Sequence, residues 1–171
     1  MTNRYKLRFY QVFFWLFLIG SILVEVMIFY FSAQNAAASQ ELSNGLLDTV
    51  VGMLVENLPE LSHTGVTGSI RKYGHISEFF GLGICLSGMV CCFLARKKPE
   101  MKRGQFFLTS IAGSFAIGFL SACSDEFHQL FVPGRAGRLQ DVLFFDSPGN
   151  LAGILVMTVL FVLIAKKKTK K

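Results

Sequence analysis

Residues 105–123 read QFFLTSIAGSFAIGFLSAC, a stretch without a single charged side chain and without proline. A helix needs ~20 predominantly apolar residues to cross the hydrocarbon core of a bilayer, so this stretch predicts a transmembrane helix. Three more segments have the same character, at residues 7–31, 75–95 and 148–165. The sequence therefore predicts an all-α polytopic membrane protein with about four transmembrane helices in one domain, residues 1–171.

Composition agrees with a membrane protein and argues against a nucleic-acid partner. Hydrophobic residues make up 52% of the chain and charged residues 16%, which is too apolar for an ordinary soluble domain. The sequence pI of about 9.3 comes from basic residues beside the apolar segments, where they meet anionic lipid headgroups. We predict the lipid bilayer as a partner, and no nucleic acid.

Three basic tracts predict the orientation. Residues 4–8, 96–103 and 166–171 hold three, five and five of the 17 Lys and Arg residues. Because positively charged segments stay in the cytoplasm, the tracts predict that both termini are cytoplasmic. Residues 32–74 and 124–147 then face outward.

Within the first of these loops, residues 40–56 carry apolar side chains at a helical period and predict an amphipathic, extracytoplasmic helix.

Small residues recur every fourth position in three of the spans, which favours close helix packing in lipid. They are Gly83, Ser87, Cys91 and Ala95 in the second span, Ser110, Ser114, Gly118 and Ala122 in the third, and Gly149 and Gly153 in the fourth. We expect these faces to meet one another. The first span has no such row, so we predict that it is the most lipid-exposed helix. For Glu25, the one acid of this span, we predict a polar partner inside the bundle.

Polar chemistry outside the basic tracts collects in two stretches at the predicted outer face. At the start of the second span, Lys72, His75 and Glu78 are spaced by three and share one face of a helix. The other members follow the third span: Asp125, Glu126, Gln129, Arg135, Arg138 and Asp141. Each residue alone is compatible with an interfacial anchor or a surface charge. Together, at one membrane depth, they predict a functional site.

The chemistry of this cluster leaves several roles open. The cationic side chains suit a phosphate clamp, so we predict ligand binding by Lys72, Glu126, Gln129, Arg135, Arg138 and Asp141. The second set, His75, Glu78 and Asp125, suits acid–base catalysis or, less well, a divalent cation. Neither a His-Glu-x-x-His motif nor a Walker loop, dinucleotide motif or nucleophile elbow occurs. We therefore predict no metal and no cofactor.

Five short motifs in this order resemble the VanZ-like family of membrane proteins. They are FSAQ at 31–34, KxxHxxEF at 72–79, DExxQ at 125–129, PGR at 133–135 and DVL at 141–143, before a glycine-rich last helix. The resemblance covers nearly the whole chain. It implies about four spans in a bacterial cytoplasmic membrane. The family takes its name from a member associated with low-level resistance to the glycopeptide teicoplanin.

One spacing departs from the family pattern. Members usually place an acid or Asn four residues after the aspartate of the DVL motif, whereas Asp146 lies five residues after Asp141. Residues 146–148, DSP, are typical of an N-cap followed by proline in the first helical turn. Asn150 then falls inside the mouth of the helix. Either Asp146 or Asn150 takes the family position.

Three functions are compatible with these features. The first is a protein whose outward site binds an anionic cell-envelope ligand, such as a lipid-linked cell-wall precursor or a glycopeptide, and so affects teicoplanin susceptibility. The second is a membrane-embedded hydrolase or transferase acting on a lipid-linked phosphate or glycan. The third is a structural membrane partner without a ligand. The oligomeric state does not follow from the sequence.

Overall fold

The computed structural model describes residues 3–34 and 63–168, together with Glu41 and Gly45. All regular structure in these residues is helical. The elements are α1 (Asn3–Ser32), α2 (His63–Lys97), α3 (Arg103–Gln129), the short α4 (Leu139–Asp141), a π turn (Val142–Asp146) and α5 (Ser147–Lys168). The amphipathic helix predicted for residues 40–56 lies outside the described residues, apart from Glu41 and Gly45.

Four helical segments are long and apolar enough to cross a membrane, which confirms the predicted count. They are Leu7–Ser32, Lys72–Lys97, Arg103–Gln129 and Leu139–Ile164. The shortest have 26 residues, or ~39 Å at 1.5 Å per residue, more than the ~30 Å hydrocarbon core. The fold is therefore that of a multi-pass helical membrane protein.

Helix α2 is the centre of the bundle and packs against α1, α3 and α5, most extensively against α5. The small residues explain this closeness. Gly149 and Gly153 of α5 lie directly against the backbone of Ile76 and Phe80 in α2, where an added Cβ would collide with main-chain atoms. Deeper in the same interface, Ser87 and Thr158 share a hydrogen bond of 2.8 Å between their hydroxyl oxygens. The predicted small-residue contact between these helices is confirmed.

Helix α3 joins the bundle through its own small-residue face. Its buried residues include Ser110, Ser114, Gly118 and Ala122. Gly118 and Gly83 of α2 leave the space that the side chain of Asn150 occupies. The row of small residues in the third span is therefore confirmed as a packing face.

Helix α1 lies at the periphery, as predicted. Only 11% of its most apolar 18-residue stretch is buried within the protein, and Trp15 is 53% exposed. Glu25 accepts hydrogen bonds from the Ser121 hydroxyl of α3 at 2.7 Å to each carboxylate oxygen. This contact confirms the predicted bundle partner for the one acid of the first span.

Several predicted boundaries are wrong at the end of the bundle that carries the polar cluster. Helix α3 continues to Gln129, beyond the predicted end at residue 123, because its polar residues turn inward and are buried. The last span begins at Leu139, not at residue 148, and includes the π turn. That turn lies just before Pro148, whose missing N–H cannot continue the α-helical ladder.

Candidate functional site

A cavity of about 290 Å³ opens at the end of the bundle where α1 and α3 end and α2 begins. Its lining comes from α2, α3, the loop after α3, α4 and the π turn. The lining residues are Lys72, His75, Glu126, Gln129, Gly134, Arg135, Ala136, Arg138, Asp141 and Phe145. His75 and all six predicted ligand-binding residues therefore meet at one cavity, although they span some seventy positions of sequence.

Two of the lining residues, His75 and Glu126, lie next to the buried carboxyl group of Asp146, which does not itself line the cavity. Nδ1 of His75 lies 3.3 Å from Oδ1 of Asp146. Asp146 is fully buried and Glu126 is 6% exposed. One ligand-type atom from each of these three residues lies within 4.8 Å of the other two. Three separate elements, α2, α3 and the π turn, thus converge on one point.

Gln129 positions the carboxyl groups of α3. Its Nε2 donates to Oδ2 of Asp125 at 2.9 Å and to Oε1 of Glu126 at 3.2 Å. Positions three and four residues apart share one helix face, so Gln129 reaches both acids of its own helix. The same nitrogen also contacts the Ser32 hydroxyl at 3.4 Å, which links α3 to the end of α1.

The loop between α3 and α4 closes over the cavity and is held by side chains of the motifs. The backbone N–H of Arg138 donates to Oε2 of Glu126 at 2.6 Å. Arg135 donates from Nε to the Gln34 carbonyl at 3.0 Å and from Nη2 to the Phe31 carbonyl at 2.9 Å. Carbonyls at a helix end have no intrahelical partner, so Arg135 caps α1 while it lines the cavity. Gly134 allows the turn, with a φ of 77°.

The cationic side chains stand towards the mouth. Lys72 is exposed, and its Nζ lies 4.8 Å from the centroid of the Phe145 ring. Arg138 is also exposed, whereas Arg135 is half-buried. Asp125, Glu126 and Asp146 are buried below them. The site therefore combines cations at the surface with carboxyl groups beneath.

Only one of the three predicted acid–base residues lines the cavity. His75 lines the cavity, but Glu78 and Asp125 are not among its lining residues. Glu78 is half-buried and lies within electrostatic range of His75 and Asp125. Asp125 is fully buried and is held by Gln129. A catalytic role for the three stays a prediction.

The sequence interpretation of Asp146 as a helix N-cap is wrong. Asp146 lies in the π turn within a continuous helical segment, and its side chain reaches His75. The N–H of Ser147 bonds the carbonyl of Val142, five residues earlier, which is the π pattern. A π turn contains one residue more than an α-helical turn, which accounts for the five-residue spacing between Asp141 and Asp146. The sequence did contain a signal for this role of Asp146, because an acid inside an apolar segment by itself suggests a functional site.

Asn150 lies one turn deeper than Asp146 and outside the cluster. It is 1% exposed and packs between Gly83 and Gly118. The acid next to His75 is therefore Asp146, while Asn150 belongs to the helix interface.

These features define a class: a multi-pass helical membrane protein with a polar, partly buried site at one end of its bundle. The model of the VanZ/LLP1 family matches residues 14–164, which include every residue of the site, and the chain belongs to this family. The resemblance noted from the five motifs is thereby confirmed. No curated protein and no solved structure matches the chain.

Proposed function

We propose that this VanZ-family protein binds an anionic cell-envelope ligand at the outer face of the bacterial cytoplasmic membrane. The observation that carries the proposal is the cavity with Lys72, Arg135 and Arg138 in its lining. Guanidinium and ammonium groups are the usual protein donors to phosphate, and arginine supplies two parallel N–H groups.

The charge distribution supports the outward orientation. The helix ends at Asn3, Lys97, Arg103 and Lys168 carry the basic tracts, and the up-and-down order of the helices puts them opposite the cavity. Contacts of Phe161 with Tyr10 and Phe106, at 5.9 and 5.8 Å between ring centroids, join α1, α3 and α5 near that end. If the basic end is cytoplasmic, the cavity opens outward.

A lipid-linked ligand suits the surroundings of the cavity better than a soluble one. Large apolar side chains of the same segments are exposed, including Phe131 at 72%, Phe144 at 69% and Leu139 at 65%. In a bilayer these side chains contact acyl or prenyl chains, while a phosphate headgroup would reach the cations. Binding a lipid-linked cell-wall precursor in this way would change how readily glycopeptides such as teicoplanin reach that precursor.

Lipid titration tests the proposal. Purified protein in nanodiscs is titrated with undecaprenyl phosphate and with lipid-linked cell-wall precursor, and binding is followed by native mass spectrometry. We expect saturable binding. The double variant Lys72→Ala and Arg138→Ala should weaken it about tenfold or more, since hydrogen bonds to charged groups contribute roughly 1.5–3 kcal/mol each.

The matched control removes two exposed cations from the basic end, Lys98→Ala and Arg103→Ala, and should bind like the parent protein. Equal losses in both double variants would indicate general electrostatic attraction and contradict a specific cavity. Absence of saturable binding to either lipid would remove the proposal.

The contact between His75 and Asp146 favours a second candidate, a hydrolase or transferase acting on the same class of lipid. A carboxyl group beside an imidazole can orient it for proton transfer. Incubation with lipid-linked precursor and analysis by liquid chromatography tests this function. Turnover lost in both His75→Ala and Glu78→Gln, with binding retained, would favour the enzyme over the binding protein.

A further inference from the structure

We infer that His75, Glu126 and Asp146 form a divalent-cation site at the base of the cavity, which the first two of them line. The cation class is one that accepts mixed nitrogen and oxygen ligands, with Zn²⁺ and Mn²⁺ as the best matches. The site rests on the geometry of these three residues and not on the proposed envelope ligand.

The distances suit a metal centre. Ligand atoms bound at ~2.1 Å to a tetrahedral ion are ~3.4 Å apart. Nδ1 of His75 and Oδ1 of Asp146 are 3.3 Å apart, and one atom of each of the three residues lies within 4.8 Å of the others. Only small side-chain adjustments are needed to bring all three atoms to bonding distance.

Buried polar atoms without partners supply independent support. Both carboxylate oxygens of Asp146 and Nδ1 of His75 are buried and have no hydrogen-bond partner among the described residues. Although Nδ1 and Oδ1 approach closely, their geometry is not that of a hydrogen bond. Asp146 is fully buried, where a carboxylate whose oxygens accept no hydrogen bond is costly. A shared cation would satisfy all three atoms at once.

The surrounding hydrogen bonds are those expected around a metal ligand. Glu126 accepts from Gln129 through Oε1 and from the Arg138 backbone through Oε2, which fixes the plane of its carboxyl group. Such outer contacts orient ligands and tune a site. Asp125 lies next to this network, with Oδ2 bound to Gln129 and Oδ1 buried without a hydrogen-bond partner in the part of the chain that the structure describes.

The donor types narrow the choice of ion. An imidazole nitrogen with carboxylate oxygens favours Zn²⁺ or Mn²⁺ over Mg²⁺ and Ca²⁺, which prefer oxygen ligands alone. No cysteine contributes, since Cys85, Cys91, Cys92 and Cys123 are not part of the cluster. The absence of a thiolate disfavours Cu⁺.

The cation would also resolve a conflict in charge. Carboxyl groups beneath the cavity would repel the anionic ligand proposed above, whereas a divalent cation held by them would attract it. Three protein ligands leave a coordination position for an oxygen from the cavity. This consequence, unlike the site itself, rests on the proposed function.

Metal titration of the 171-residue chain, free of tags and in detergent, tests the inference. After treatment with EDTA, Zn²⁺ binding is measured by competition with a fluorescent chelator and by elemental analysis. We expect one Zn²⁺ per chain. His75→Ala, Glu126→Gln and Asp146→Asn should each weaken binding by about tenfold or more, the range that even outer contacts of a metal site show. Mn²⁺, followed by loss of its free electron-spin signal, is a second probe.

Two carboxyl variants are matched controls. Glu25→Gln alters a carboxyl group held by Ser121 within the bundle, and Glu100→Gln alters an exposed one in the loop between α2 and α3. Both should retain parental Zn²⁺ affinity. A folded parent protein without bound Zn²⁺ or Mn²⁺, or equal affinity in every variant, would overturn the inference.

Thermal unfolding shows whether each variant is folded, so that a loss of Zn²⁺ affinity is not mistaken for misfolding. Zn²⁺ should raise the melting temperature of the parent protein, because a ligand that binds only the folded state stabilises it. The same increase in Asp146→Asn, which retains the shape of the side chain, would contradict the site. Lipid titration in EDTA and again with Zn²⁺ separates the two proposals. Saturable lipid binding by a protein that binds no metal removes only the cation site, and metal binding without lipid binding in either condition removes only the proposed function.

Discussion

At the residue scale, Gln129 holds the site together because one amide nitrogen contacts three oxygens from two helices. It is 4% exposed, so water cannot readily replace it. An amide NH₂ has only two hydrogens, and the three acceptors therefore share them. This arrangement keeps Asp125 and Glu126 at the same depth, and it makes the donor on Gln129 difficult to substitute.

Substitution of Gln129 by Ala should destabilise the protein. Buried carboxyl oxygens would lose their donor, at a cost of about 1–3 kcal/mol in the free energy of unfolding. Thermal or denaturant unfolding in detergent measures the change. Gln140→Ala, at an exposed glutamine, is the matched control and should stay within about 0.5 kcal/mol of the parent protein. Equal stabilities of the two variants would contradict the role given to Gln129.

At the scale of elements, the interface between α2 and α5 brings the catalytic candidate His75 to Asp146. Gly149 and Gly153 allow main-chain contact with Ile76 and Phe80, just beyond the site. The π turn above them then directs Asp146 towards α2. Glycine contacts and the π turn thus act together, one setting the distance between the helices and the other the direction of the acid.

Gly153→Ala should weaken this interface. The added methyl group would meet the backbone of Phe80 and Ile84, which cannot move as a flexible side chain would, and overpacking costs roughly 1–3 kcal/mol. Unfolding in detergent measures the loss. Gly81→Ala is the matched control because nothing lies within 4 Å of its added Cβ, and it should be neutral or slightly stabilising. A similar loss in both variants would contradict a specific effect of the contact with α2.

At the scale of the whole molecule, charge and polarity are separated between the two ends of the bundle. One end carries the basic tracts, and the other carries the cavity with its buried acids. Between them, α1 presents apolar side chains such as Leu23 and Tyr30, 63% and 65% exposed, which suit contact with lipid. A bilayer around these helices would therefore separate the cavity from the basic end of the bundle.

Cysteine labelling in intact cells tests the orientation. Ala136→Cys lies in the exposed loop at the cavity, and Glu100→Cys lies in the exposed loop between α2 and α3. We expect a membrane-impermeant maleimide to label the first in intact cells and the second only after permeabilisation, because basic segments stay in the cytoplasm. The parent protein, with its four cysteines, sets the background. The reverse pattern would place the cavity in the cytoplasm and remove an outer-face ligand.

Local properties of the sequence determined the four spans, the peripheral place of α1 and the small-residue packing faces. Hydropathy is a property of one continuous segment, and the four-residue spacing is a property of one helix face, so each helix contains this information in its own sequence. The cluster of polar residues was also visible, since three of the four Lys and Arg residues outside the basic tracts belong to it.

Only the tertiary structure decided which polar residues meet. Asp146 reaches His75 because a π turn redirects it and two glycines bring α5 against α2, and Arg135 caps a helix that ended a hundred residues earlier. These contacts depend on the relative position of helices distant in sequence, which no local pattern specifies. The chain thus encodes a membrane bundle residue by residue, while its packing turns one acid from an expected helix cap into part of the site.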